Sequence, residues 1–239
     1  MTIKTRAVDY SHDGKAFEGL LAVDDAASGK RPAVLISHAW AGRGPVEEDY
    51  AKRLAGLGYA GFALDLYGKG VFGKTSPECQ ALMAPLAGDR PYLQSRLLNA
   101  VEVVKAIPEV DAAKIAIMGF CFGGLCALDV ARTGAGLKGA ASFHGLLAAP
   151  GNTKGVKIKA KVIAFHGWDD PMVKPDAVKA FGEEMTEANA DWQIHAYGGV
   201  MHAFTNPEAN DPSFGTVYNK RAADRSWEAF KLFLAECFV

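Results

Sequence analysis

One cysteine stands where a strand turns sharply into a helix. Residues 119–124 read Gly-Phe-Cys-Phe-Gly-Gly and place Cys121 between a predicted strand and a predicted helix. This Gly-x-Cys-x-Gly pattern is typical of a nucleophile elbow, in which glycines allow a strained turn to aim a reactive side chain outward. The helix dipole favours a thiolate there, and the Phe122 amide is predicted to point to where an oxyanion would form. The alternative is a glycine-rich turn with a buried thiol.

An acid and a histidine follow Cys121 in the order that such an elbow requires. Asp169 and Asp170 come directly after a predicted strand, and Asp170 is preferred because Pro171 biases its backbone toward an extended conformation. His202 follows the next strand and is the only histidine with both the required order and a loop position. The spacing therefore predicts Cys121 as nucleophile, His202 as base and Asp170 as the carboxylate that orients the base.

Three other histidines lie near predicted turns or strand ends. His12 falls in a hairpin turn and is expected to be solvated. His144 and His166 each end a predicted strand, where they could face the site, although packing is the favoured explanation.

The four cysteines are too few for a disulfide scaffold in a chain of 239 residues, and no Cys-x-x-Cys pair suggests zinc or a redox centre. Cys126 and Cys237 lie on apolar helix faces and are predicted to be core residues. Cys79 is left open between packing and mobile surface. A reactive thiol at position 121 would thus be an exception among ordinary reduced cysteines.

Strand-like and helix-like segments alternate and indicate an α/β fold. Continuous apolar strands predict a mostly parallel sheet with helices on both faces, and a starting hairpin that turns at Asp13-Gly14 predicts an antiparallel edge. Asp89 is predicted to cap a helix. The whole chain, 1–239, is expected to form one domain, with 67–88 as a cap-like excursion over the carboxyl edge of the sheet. Strands are predicted over 5–10, 17–23, 33–38, 61–66, 114–119, 139–144, 161–166 and 193–197, and further helices over 47–57, 122–132, 175–188 and 216–238.

The composition of the chain excludes several classes of protein and of binding partner. Hydrophobic residues make up 49% of the chain, which excludes a disordered protein, and the net charge of −1 argues against non-specific nucleic-acid binding. No apolar run approaches the roughly 20 residues of a membrane span, and no secretory signal is visible. These features predict a cytoplasmic protein that acts on a small molecule, without a nucleic-acid or membrane partner. The oligomeric state is left open.

The motifs together resemble the dienelactone hydrolase family, which are α/β-hydrolases with a Cys-Asp-His triad. The resemblance rests on the elbow, the Asp170-Pro171 loop and residues 202–204, and extends over 36–42 and 63–68. It implies the α/β-hydrolase fold and hydrolysis of cyclic enol-lactones such as 4-carboxymethylenebut-2-en-4-olide. It also implies Trp40 as the second oxyanion amide beside Phe122, and neither a cofactor nor a metal.

Two positions depart from the family pattern. Family members carry a glutamate just before the oxyanion amide, where this chain has Ala39, so the resting state of Cys121 is expected to differ. They also bind the substrate carboxylate with an arginine shortly after the histidine, and residues 204–207 contain none. Candidate substrate-binding residues are His38, Arg43, Tyr67, Arg90, Arg96 and Trp168.

Several functions are compatible with these residues. The leading hypothesis is a cysteine hydrolase of small lactones or esters, and the missing arginine favours a general carboxylesterase as its rival. A non-catalytic small-molecule receptor would not need an ordered base and acid. A redox sensor at Cys121 would need a resolving cysteine, and Cys126 is expected to point into the core.

Overall fold

Strands and helices alternate along the chain as the hydrophobic pattern predicts. A computed structural model of the protein describes residues 2–26 and 28–239, so that residues 1 and 27 lie outside the described part. Two compact units divide the chain, the N-terminal unit (Met1–Met118) and the C-terminal unit (Gly119–Val239), and the boundary falls inside a strand. The elements are β1 (Ile3–His12), β2 (Lys15–Asp24), β3 (Arg31–Ser37), α1 (Pro45–Gly56), β4 (Ala60–Ala63), α2 (Ser76–Gly88), α3 (Arg90–Lys105), β5 (Val110–Phe120), α4 (Phe122–Arg132), β6 (Gly139–Phe143), β7 (Lys161–Gly167), α5 (Pro175–Glu187), β8 (Asp191–Tyr197), β9 (Asn210–Asp211), β10 (Thr216–Val217) and α6 (Lys220–Cys237).

The first eight strands form one mixed sheet in the order β1-β2-β4-β3-β5-β6-β7-β8. β1 and β2 form the predicted antiparallel hairpin, and both turn residues have positive φ, 49° at Asp13 and 73° at Gly14. β2 is also antiparallel to β4, whereas β3 pairs with β4, β6 with β7 and β7 with β8 in parallel. The predicted α/β class, with a mostly parallel sheet and an antiparallel N-terminal edge, is confirmed.

Helix α3 of the N-terminal unit begins as its sequence predicts. The Asp89 carboxylate accepts a hydrogen bond from the Tyr92 amide, and proline occupies the first turn. Such a cap stabilises a helix by about 1 kcal/mol. The apolar stripe predicted for this helix, Leu93, Leu97, Val101 and Val104, is buried.

The C-terminal unit carries the most continuously buried elements. Every residue of α4 is buried, and in β7 six consecutive residues, 162–167, are buried. Strands buried on both faces are typical of a parallel sheet that helices cover. These two elements therefore give the residues at their ends rigid supports.

Several predicted elements have different bounds in the structure, and for two of them side-chain hydrogen bonds explain the difference. β4 stops at Ala63, because the Asp65 carboxylate accepts hydrogen bonds from the amides of Tyr67 and Gly68 and turns the chain out of the sheet. Helix α6 begins at Lys220 and not at Thr216, since Asn219 caps its first turn through the Ala222 amide. The predicted start of that helix is instead the second strand of the short antiparallel β9–β10 hairpin.

The excursion predicted over 67–88 contains α2, whose N-cap Thr75 accepts a hydrogen bond from the Glu78 amide. Its cap-like role and the single-domain organisation stay predictions. Among the described residues, no helix combines the length and the apolar character that a membrane span requires.

Candidate active site

Cys121 occupies a strained turn between β5 and α4. Its backbone has φ 54° and ψ −115°, a combination that costs a residue with a side chain about 1–3 kcal/mol. The turn is also tight, because a Cβ on Gly119 would lie 2.1 Å from the carbonyl oxygen of Gly123. The Cys121 amide donates to the Phe143 oxygen (3.0 Å) and ties the turn to β6. The glycine requirement predicted for this motif is therefore met at Gly119.

The four cysteines differ in exposure. Cys121 is half-buried, whereas Cys79, Cys126 and Cys237 are buried, and all four are free thiols. The core positions predicted for Cys126 and Cys237 are confirmed. Cys79, which the sequence left open, packs on α2 with its sulfur 3.5 Å from the Gly73 carbonyl oxygen. Burial raises the pKa of both Cys79 and Cys237, which keeps these thiols protonated.

Asp170 and His202 form a buried pair. Oδ2 of Asp170 lies 2.7 Å from Nδ1 of His202, and the two side chains are 0% and 2% exposed. The other carboxylate oxygen accepts the Met172 amide at 2.8 Å, so the carboxylate is held at both ends. The neighbouring Asp169 is exposed. Of the two candidate acids, Asp170 is thus the one that contacts the histidine.

The backbone of His202 is held by a hairpin that the sequence did not indicate. Its amide donates to the Gly215 oxygen (2.9 Å), and its own carbonyl accepts from the Val217 amide (3.0 Å). Gly215 has φ 86°, and a Cβ there would lie 2.1 Å from a ring carbon of Pro171. The β9–β10 hairpin therefore packs against the loop that carries Asp170 and also forms hydrogen bonds with the backbone of His202.

The protonation of His202 reflects three opposing influences. Burial lowers its pKa, but interactions with Asp170 and with Cys121 outweigh burial and raise the pKa to about 10. The other ring nitrogen, Nε2, is buried and makes no close hydrogen bond to a described atom. The Asp170 contact accounts for Nδ1, and the raised pKa favours the protonated imidazole.

Two further histidines at strand ends surround this pair. The ring centroid of His144 lies 5.1 Å from that of His202, and its Nε2 lies 2.7 Å from Oγ1 of Thr205. Burial, with a contribution from His202, holds the pKa of His144 well below its usual range. Burial also lowers the pKa of His166, whose two ring nitrogens have no partner among the described residues. Both rings are buried, as the favoured explanation expected. His12, in contrast, is not solvated as predicted, since its ring bonds Ser95 and is largely covered.

In the N-terminal unit, two candidate binding residues hold backbone in place. Nδ1 of fully buried His38 lies 2.6 Å from the Ala39 oxygen, and its Nε2 accepts the Leu66 amide at 3.1 Å. The Tyr67 hydroxyl donates to the Trp40 oxygen at 3.0 Å. These backbone contacts let the ring of His38 orient the turn after β3, and the substrate contact expected of His38 stays a prediction.

The candidate arginines have different environments. Arg43 lies between Glu18 and Glu48, at 2.8 and 2.5 Å, so that its charge is compensated. Arg96 is buried, donates to the Leu66 oxygen (2.6 Å) and the Tyr92 hydroxyl (2.7 Å), and stacks on the Phe17 and Tyr92 rings.

The last two candidates are more open. Arg90 is the half-buried first residue of α3, and Trp168, in the C-terminal unit, is 47% exposed. No cluster of three or more His, Cys, Asp or Glu side chains that could hold a metal ion occurs within the described ranges.

Comparison with known proteins shows the family to which this chain belongs. The profile of the Dienelactone hydrolase family matches residues 17–238. The chain belongs to the dienelactone hydrolase family. Its mostly parallel sheet is that of the α/β-hydrolase fold.

Individual relatives cover most of the chain. A protein of Aquifex aeolicus named "Putative carboxymethylenebutenolidase" is 29% identical over 92% of this chain and 94% of its own. An uncharacterized protein of Caenorhabditis elegans is 38% identical over 62% of this chain and 95% of its own. The crystal structure of a dienelactone hydrolase-like promiscuous phosphotriesterase, P91, from metagenomic libraries is 34% identical with a TM-score of 0.93 and covers 99% of both chains. The chain is thus a dienelactone hydrolase-like ester hydrolase.

Family membership gives meaning to a buried carboxyl that sequence reasoning missed. Glu47 accepts hydrogen bonds from the amides of Gly44 (3.0 Å) and Ala39 (3.5 Å), and burial raises its pKa. Position 39 is where the family resemblance led us to expect a glutamate. In this member of the family, a carboxyl from the first turn of α1 bonds the amide of that position. The only sequence signal was an acid in the first turn of a helix, which usually means a solvated cap.

Proposed function

We propose that this dienelactone hydrolase cleaves a small lactone or ester through a thioester on Cys121. His202 is the base and Asp170 its orienting carboxylate. The observation that carries the proposal is the 2.7 Å contact between Asp170 and Nδ1 of His202, which leaves Nε2 as the proton acceptor in a buried site. An imidazole fixed in this way has the tautomer and the orientation that a base for a thiol needs.

In the first half of the reaction, Nε2 of His202 takes the thiol proton and the thiolate attacks the carbonyl carbon. The elevated pKa of His202 supports the resulting imidazolium. The carbonyl oxygen becomes an oxyanion, for which the Phe122 amide at the N-terminus of α4 is the proposed donor. The Trp40 amide stays a prediction from the family resemblance. When the carbon–oxygen bond breaks, the imidazolium returns its proton to the leaving oxygen.

In the second half, water replaces the leaving group beside His202. The imidazole takes a proton from that water, the hydroxide attacks the thioester, and the acid product leaves as the Cys121 sulfur is released. The step requires no cofactor, in line with the expectation from the sequence.

The decisive variant is Cys121→Ala. We expect a loss of at least about 10⁴-fold in kcat for an aryl ester, because the covalent route is removed. Cys121→Ser should be much weaker than wild type, since a hydroxyl is harder to deprotonate than a thiol. Cys126→Ala is the matched control and should retain turnover. Unchanged turnover in Cys121→Ala, with the melting temperature of wild type, would exclude the mechanism.

The substrate is best approached with a panel of lactones and aryl esters, each with and without a carboxylate. A strong carboxylate preference supports an enol-lactone like those implied by the family and directs attention to Arg43, Arg90 and Arg96 as predicted ligands. Equal turnover of both sets supports the general carboxylesterase. If no lactone or ester of the panel is hydrolysed but one of them binds tightly, the result supports the small-molecule receptor.

A second activity is suggested by the likeness to P91, whose name describes a promiscuous phosphotriesterase. We propose a weaker phosphotriester hydrolysis at the same cysteine, because a thiolate beside an imidazolium can attack phosphorus as well as carbon. Paraoxon added to the panel tests it. Release of nitrophenol by wild type but not by Cys121→Ala is the expected result, and release by both would contradict it.

A further inference from the structure

Thr205 lies three residues after His202 on the loop that continues the active site. Its hydroxyl oxygen is 2.7 Å from Nε2 of His144, a residue at the end of β6. His144 is therefore a fixed point outside the loop to which the loop is bonded. Neither residue is part of the proposed chemistry.

The environment of His144 suits a neutral, immobile ring. Its side chain is buried, and its amide donates to the Phe165 oxygen at 2.8 Å. The backbone φ of 40° is unusual for a residue with a side chain. Strain at a position beside a functional group often reflects a geometric requirement. The ring meets the rings of His202 and Phe204 edge to face, each at 5.1 Å.

The loop itself needs an external support. Ala203, directly after His202, has φ 56°, a conformation that side chains disfavour. The β9–β10 hairpin holds the His202 backbone, and the Asn219 amide donates to the Phe204 oxygen at 3.1 Å, so that both of these supports act on the backbone. The hydroxyl of Thr205 is thus the polar anchor of the loop on the side of His144.

We infer that His144 and Thr205 act together as positioning residues that hold the imidazole of His202 in register with Asp170 and Cys121. The inference rests on the proposed function. A displacement of a catalytic group by a fraction of an ångström lowers turnover more than it lowers substrate binding. The pair should therefore affect kcat and the proton affinity of His202, and hardly affect KM.

The first test compares Thr205→Val with Thr205→Ser. Valine keeps the shape of threonine and removes the hydroxyl, so we expect kcat for an aryl ester to fall about tenfold with KM within about twofold. Serine restores the hydroxyl and should restore most of kcat. Thr186→Val is the matched control, since it removes a hydroxyl that bonds only within α5 and to Trp192, and its kcat should equal that of wild type.

A second measurement does not depend on ester turnover. The rate of Cys121 alkylation by iodoacetamide, followed by mass spectrometry of the Cys121 peptide, reports the thiolate–imidazolium pair as pH varies. The titratable groups around His202 are Cys121, Asp170, His144 and His166. In Thr205→Val, a less well held imidazole should shift the alkylation midpoint to higher pH, whereas Thr205→Ser should keep it.

The third test is a double-mutant cycle with His144→Phe. Because one hydrogen bond joins the two residues, His144→Phe with Thr205→Val should be no worse than the worse single variant. Wild-type kcat and alkylation midpoint in Thr205→Val, or losses that multiply in the double variant, would overturn the inference. If the inference fails in this way but Cys121→Ala is inactive in the same assay, the proposed function still holds. An active Cys121→Ala would refute the proposed function itself.

Discussion

Buried polar groups serve different purposes in the two units of this protein. In the N-terminal unit, both ring nitrogens of His38 lie on backbone atoms, Arg43 lies between two carboxylates, and Arg96 donates to the Leu66 oxygen and the Tyr92 hydroxyl. In the C-terminal unit, His202 is equally buried, but it interacts with titratable side chains, since Nδ1 contacts Asp170 and the interactions with Asp170 and Cys121 raise its pKa to about 10.

The two units also differ in backbone strain. Three of the described non-glycine residues with positive φ are Cys121, the proposed nucleophile, and His144 and Ala203, which lie beside His202, the proposed base. In the N-terminal unit, the described non-glycine residue with positive φ is Asp13, in an ordinary hairpin turn. Backbone strain beside a histidine that interacts with titratable side chains favours a region arranged for chemistry, whereas a histidine bonded to backbone atoms in an unstrained region favours one arranged for stability.

The largest expected effect is on kcat, and it should distinguish Asp170 from Asp169, the two acids that follow β7. Asp170→Asn is expected to lower kcat by about 10³–10⁴-fold, because an amide no longer supports the positive imidazole or fixes its tautomer. Asp169→Asn is the matched control and should remain within about twofold of wild type, as its side chain is exposed. Steady-state kinetics on one aryl ester decide between them. An equal loss in both variants would remove Asp170 from its proposed role.

A smaller effect should appear in the N-terminal unit, in stability and not in catalysis. Arg96→Met removes donors to the Leu66 oxygen and the Tyr92 hydroxyl and should lower the free energy of unfolding by about 2–3 kcal/mol. Arg43→Met breaks ion pairs nearer the surface and should lower it by about 1 kcal/mol or less. Urea denaturation measures both. A stable Arg96→Met variant that loses kcat/KM only for carboxylated esters would break the comparison, since it would give this unit a binding role.

A further effect on stability concerns the proton on His202. Its folded-state pKa of about 10 exceeds the value of about 6.5 in an unfolded chain, so the protonated form stabilises the fold. That contribution is complete below pH about 6.5 and is lost as pH rises through about 10. The difference in unfolding free energy between wild type and His202→Gln should therefore shrink by about 1–3 kcal/mol over this range.

His195→Gln provides the control for that titration. Burial lowers the pKa of His195, so this histidine is neutral throughout the alkaline range and its difference from wild type should stay constant there. A difference for His202→Gln that stays constant over this range, as for His195→Gln, would mean that the imidazole is neutral in the fold.

Much of this molecule could be predicted from its sequence, because the informative signals are local. The elbow requires glycine at position 119 whatever surrounds it, and Asp89 caps its helix through a residue three positions away. Apolar strands of five to seven residues were found because burial on both faces leaves a continuous hydrophobic run. The preference for Asp170 over Asp169 came from the proline that follows it.

What the sequence could not indicate depends on partners distant along the chain. The contact between His144 and Thr205 joins residues 61 positions apart, and neither side chain has an unusual local pattern. The β9–β10 hairpin has strands of two residues, too short for any periodicity to show. The two nitrogens of His38 bond backbone atoms that come together only when β3 and β4 pair in parallel.

The backbone angles of Cys121 have a consequence for how such a protein is maintained by selection. Glycine adopts positive φ without penalty, so Cys121→Gly should fold about 1 kcal/mol more stably than Cys121→Ala. Stability alone would therefore favour a residue without a thiol at this position. The cysteine at position 121 therefore costs the fold free energy, and the proposed reactivity of its thiol is the property that would offset this cost.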